Sequence, residues 1–136
     1  MITTIASLVL CSTVAARQAP DIPRDLGVCV EIAETAHAHG VSPRLAVAVG
    51  YRETRWRRGL VSSVGAVGPL QVRPEYHCPD GTAEGCDLVT TGVLVLRRYL
   101  DEEGAAMPAL CRYATGTGYS RCAYALRVLD VAGGAA

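Results

Sequence analysis

The sequence predicts a mainly α-helical domain, and three observations predict it. Apolar residues recur at three- and four-residue steps over residues 24–39 and 88–103. Capping residues stand ahead of helical stretches and glycines behind them: Asp25, Ser42 and Asp87 before, Gly40 and Gly104 after. No run alternates apolar and polar residues for long enough to make a strand. At 136 residues, half of them apolar, the chain is one domain that can bury a core without a metal.

Residues 1–16, "MITTIASLVLCSTVAA", are apolar and end in Val14-Ala15-Ala16, a small-x-small cleavage pattern. This favours a secretory signal ahead of a domain at 17–136, although the stretch lacks the usual Lys or Arg. The alternative is a short N-terminal helix packed on the domain. Leu10 before Cys11 argues against a lipid anchor. "APDIPRD" then breaks the chain and supplies Asp21 or Asp25 as a cap for a helix over residues 24–39, with Leu26, Cys29, Ile32, Ala33 and Ala36 on one side. Ser42-Pro43 restarts the helix, and "RLAVAVGYRE" is apolar all round, as a buried central helix requires. Residues 57–68 read as loop, with Pro69 opening a short helix through Val72. Asp87 caps a long helix over 88–103. A short segment at 109–113 and a last helix over 120–131 follow, and "GGAA" is a frayed tail.

Charge and cysteines bound the function. Thirteen arginines balance thirteen acids, and this neutrality argues against a nucleic-acid binder. No stretch of about eighteen apolar residues predicts a stable membrane span. Cys78 and Cys86 bracket one short turn-rich loop, and Cys111 and Cys122 bracket another; a disulfide closes either with little strain. That usage points to export. If Cys11 leaves with a signal, Cys29 is odd and reads as a buried free thiol. A zinc site on His77, Cys78 and Cys86 is the rival, but the seven-residue gap between the cysteines exceeds ordinary zinc spacing. No metal or cofactor is expected.

One carboxylate stands out. Glu53 ends the apolar helix among Arg52, Arg55, Arg57 and Arg58. Its bland reading is a surface ion pair. Its sharper reading is a general acid, because a carboxyl group desolvated by apolar walls holds its proton to higher pH. That reading needs the arginines to point outward, and Trp56, three positions on, is close enough along a helical turn to shield the acid on one side. Beyond it, Gly65 and Gly68 mark a pliant loop ending at Gln71, whose amide offers a donor and an acceptor to sugar hydroxyls and acetamido groups.

"VSPRLAVAVGYRETRWRRGLVSSVGAVGPLQVRPE" resembles the soluble lytic transglycosylase domain, a relative of goose-type lysozyme. That family has a glutamate followed by Ser or Thr and an aromatic, then S-x-x-G-A-x-G-x-x-Q. The matching residues are Glu53, Thr54, Trp56, Ser62, Gly65, Ala66, Gly68 and Gln71, followed by Pro74. More weakly, "RRYL", "CRYATG" and "YALRVL" are similar to later family blocks, so the resemblance covers residues 28–129. The departures are Pro69-Leu70 where Leu-Met is usual, Ala114 where asparagine is usual, and no asparagine at the start of the third long helix.

The resemblance implies a lysozyme-like helical fold and cleavage of peptidoglycan glycan strands between N-acetylmuramic acid and N-acetylglucosamine. It implies Glu53 as single acid and base, Ser62, Gly68 and Gln71 as substrate-binding residues, and Tyr113 as a tyrosine lying against the acid. Ordinary glycosidases use two carboxylates. Glu75, Asp80, Glu84 and Asp87 sit in no motif that would set one across a cleft, which suits attack by the substrate's own hydroxyl. Hydrolysis and a non-catalytic wall-binding role are the alternatives. A monomer in the periplasm or outside the cell is expected, from a bacterium or a phage.

Overall fold

In the computed structural model, which describes residues 3–18 and 24–133, Thr3 caps the first of seven helices among those residues. Its hydroxyl oxygen accepts from the Ala6 amide at 3.0 Å, opening α1 (Thr4–Ala16). α2 (Leu26–Ala38) starts at Asp25, whose carboxylate accepts from the Gly27 and Val28 amides. Asp21, the other expected cap, and residues 134–136 of the expected tail lie outside the described residues. α3 (Pro43–Thr54) begins with the Ser42 hydroxyl accepting from Leu45 N, a bond that stabilises by about 1 kcal/mol. α4 (Pro74–His77) is one turn, opened by Pro74 at its first position, where no helix is expected from the sequence. α5 (Leu88–Glu103) runs from Asp87 to Gly104 as expected, and α6 (Ala106–Thr115) and α7 (Ala123–Val131) complete the order.

α3 is the central helix. Residues 45–51 are all buried, and α3 packs against α2, α7 and α1. Ile32, Leu45, Val47, Val49, Trp56, Leu70, Val93, Leu96, Leu110 and Val128 fill one continuous core around it. α5 and α6 form a second pair, joined to α2 through α5 and to α7 through α6. Gly92 sets how closely the loop before α4 approaches α5: a Cβ at Gly92 would lie 2.7 Å from Leu70 Cβ. That contact holds Leu70, and with it Gln71, against the helix.

Three disulfides tie the layers. Cys78–Cys86 and Cys111–Cys122 are the two short-loop pairs the spacing suggests. The first consumes both thiols of the rival zinc reading. The third, Cys11–Cys29, corrects the expectation of a free Cys29. α1 lies against α2, so the two Cα atoms come within 6.0 Å, inside bonding range. Cys11, Val14 and Ala15 of α1 are buried in the common core, while Ile5 and Val9 on its other side face water. No described helix is long and apolar enough to cross a membrane.

The expected helix from Pro69 to Val72 does not form. Val67 exchanges both backbone hydrogen bonds with Val72 and bridges Val61 as well, so the loop closes as a small antiparallel knot instead. Gly68, at φ +80°, makes the reversal between Val67 and Gln71.

Candidate active site

α3 ends abruptly one residue after Glu53. Arg55 and Trp56 both adopt left-handed conformations, at φ +53° and +59°, which non-glycine residues hold only when surrounding contacts demand it. The demand comes from the indole. Trp56 is fully buried, its Nε1 donates to Val47 O at 2.8 Å, and its ring meets Tyr51 edge-on. This corrects the expectation that Trp56 shields Glu53. The chain turns back on itself, so the indole enters the core and lies outside the lining of the cleft that Glu53 faces.

Thr54 locks this turn to the loop that follows. Its buried hydroxyl donates to Pro69 O at 2.9 Å and accepts from Arg57 N at 3.1 Å. Thr54→Val keeps the shape and leaves both partners unsatisfied. The expected loss is about 1–3 kcal/mol in urea unfolding; a loss within error would show that the clamp contributes nothing.

Beside Glu53 lies a cleft of about 530 Å³. Ser62, Gln71 and Tyr113, all expected at a site, line it with Glu53. Gly68 does not line it, and its N–H donates to Leu60 O. Ser62 Oγ accepts from the Val64 and Ala66 amides, so its oxygen serves the local backbone of the loop. Gln71 sits at φ +53°, and its amide nitrogen donates to Leu60 O and Gly68 O. Both N–H groups of that amide are thus spent on the loop, which leaves its carbonyl oxygen for a ligand. Tyr113 donates to Leu70 O at 2.6 Å rather than to the acid.

The residue that touches the acid is Tyr124, at the start of α7. Its hydroxyl donates to Glu53 Oε2 at 2.6 Å. Nothing near Tyr124 in sequence announces this contact; only the weak "YALRVL" similarity touches that position. Burial holds the Glu53 carboxyl above its ordinary pKa, against the opposing pull of the Tyr124 hydrogen bond and the Arg52 charge. No arginine forms an ion pair with Glu53 among the described residues. Arg58 pairs with Glu31, and Arg57 Nε donates to Thr54 O. Burial, and after it the nearby Glu53 charge, pushes both Tyr113 and Tyr124 upward, so both stay protonated donors.

Among the described residues Glu53 is the one carboxylate that lines the cleft. Glu75 is exposed and paired with Arg73 at 2.8 Å. His77 also lines the cleft, and burial with the Arg98 and Arg73 charges holds its pKa below the ordinary value, favouring the neutral imidazole. The arrangement suits a proton donor whose conjugate base has a hydrogen bond waiting.

Tyr124→Phe tests that last point. The hydroxyl favours ionised Glu53, so removing it raises the carboxyl pKa further. Carboxyl ¹³C NMR titration is expected to place the Glu53 midpoint at higher pH in the variant. A midpoint that stays or falls would mean that the bond does not act on the ionised form. No protein-family model, curated protein or solved structure matches this chain, and the functional reading rests on the chemistry of the cleft.

Proposed function

We propose that this chain is a peptidoglycan lytic transglycosylase that cleaves the β-1,4 bond between N-acetylmuramic acid and N-acetylglucosamine. The observation that carries the reading is a single, partly buried carboxyl group with a raised pKa in a cleft large enough for sugar rings. The soluble lytic transglycosylase pattern around Glu53 and Gln71 supports it. So does the lack of a second carboxylate in the lining among the described residues. Three disulfides fit an exported protein.

In this mechanism protonated Glu53 gives its proton to the glycosidic oxygen as the bond to the anomeric carbon breaks. The carboxylate left behind accepts the Tyr124 hydrogen bond. It then takes the proton from the muramoyl 6-hydroxyl while that oxygen attacks the anomeric carbon. The product is a 1,6-anhydro ring, and Glu53 ends protonated again. A carboxyl pKa raised towards the working pH serves both halves of the cycle. Tyr113, bonded to Leu70 O, fixes the wall of the cleft next to Gln71.

Mass spectrometry of fragments released from purified cell walls tests the proposal. Anhydro-muramoyl ends are expected. Reducing ends alone would make the chain a hydrolase in which water replaces the 6-hydroxyl. Binding without release would make it a non-catalytic wall-binding module.

A further inference from the structure

An aromatic ring on the cleft wall has no role in the fold or in the chemistry above. Tyr76 belongs to the single-turn α4, leaves 66 % of its surface exposed, and lines the same cleft as Glu53. An exposed tyrosine is ordinary on a convex surface; one in the lining of a cleft is placed to meet whatever enters.

We propose that Tyr76 is a stacking platform for one pyranose ring of the glycan strand, a subsite at the α4 end of the cleft. This rests on the glycan-cleaving reading. The ring is held in place before any ligand arrives. The Arg73 guanidinium lies over one face of the ring, 4.8 Å from its centroid, and pairs with Glu75, while the His77 imidazole meets the ring edge-on, so the sugar stacks on the opposite face. The next residue, Cys78, is buried and bonded to Cys86, which anchors the turn. A platform fixed in this way loses little side-chain freedom on binding. Val64, 62 % exposed on the glycine-marked loop, adds a second open apolar group to the same lining.

A pyranose suits these surfaces. One side of the ring presents C–H groups, which match the electron-rich face of an aromatic ring, while its edges carry hydroxyls. The Gln71 carbonyl oxygen remains for an edge hydroxyl. Because the platform reads the ring rather than its substituents, it accepts N-acetylglucosamine and N-acetylmuramic acid alike.

Calorimetric titration tests this in a Glu53→Gln background, which prevents turnover. The probes are chitotetraose and a peptide-free tetrasaccharide of alternating N-acetylglucosamine and N-acetylmuramic acid. Adding Tyr76→Ala is expected to weaken both about tenfold, with no change in melting temperature, while Tyr76→Phe stays within about twofold of the parent. Equal affinity in Tyr76→Ala and the parent, or no binding of either glycan by the parent, would overturn the subsite. Wall lysis by the native chain is read separately. Lysis with an unaffected Tyr76→Ala sinks the platform and keeps the function. Tyr76-dependent binding without lysis sinks the enzyme and keeps the platform.

Discussion

Glu53→Gln is expected to lower wall lysis by about 10²–10⁴-fold, the span that positioned proton transfer commonly contributes. Glutamine has nearly the shape of the acid and can still accept from the Tyr124 hydroxyl, so the cleft keeps its form. What disappears is the transferable proton. Burial already makes the charged form unfavourable at this position, so an uncharged amide is tolerated and the variant remains folded. A turbidity assay on purified walls, run beside circular dichroism, checks both parts. Equal lysis by the two proteins would end the catalytic reading. A collapse of the fold would show Glu53 to be a structural group.

Trp56→Ala has the largest expected effect on stability, about 3–5 kcal/mol in urea unfolding. The indole is among the largest fully buried side chains, and truncation leaves a cavity and removes the hydrogen bond that its N–H donates to Val47 O. Domains of this kind have only about 5–15 kcal/mol in total. Trp56→Phe keeps much of the volume and loses the N–H, so an intermediate loss is expected. The site should suffer too. With no indole in the core, the main constraint holding positions 55 and 56 in left-handed geometry is lost, leaving the Thr54 bonds to hold the turn that presents Glu53. Trp56 is the sole tryptophan of the chain, so circular dichroism rather than fluorescence must follow the unfolding. A loss below about 1 kcal/mol would contradict the packing described here.

What the sequence made legible was local. Asp25, Ser42 and Asp87 cap the helices they precede, because a cap needs only its own next few amides. The short disulfide loops are legible for the same reason. Cys11–Cys29 was not, since it depends on α1 lying against α2. Trp56 was misplaced because helical spacing was extended past the point where α3 stops, and the backbone reversal there is set by core packing. Pro69 looked like a helix start, yet Val72 found a backbone partner in Val67. At the cleft, Glu53, Ser62 and Gln71 come from one stretch of chain and could be read together. Tyr124 reaches Glu53 from 71 residues away, a contact set by how α7 packs on α3 and marked in the sequence only by the weak "YALRVL" similarity.

Glu53 occupies the last turn of α3, next to carbonyls left without intrahelical donors. The aligned peptide units of a helix gather partial negative charge at that end. An acid stationed there is discouraged from ionising by the rod that carries it, in the same sense as by the walls around it. The end of the rod therefore acts in the same direction as the burial that holds the Glu53 carboxyl above its ordinary pKa.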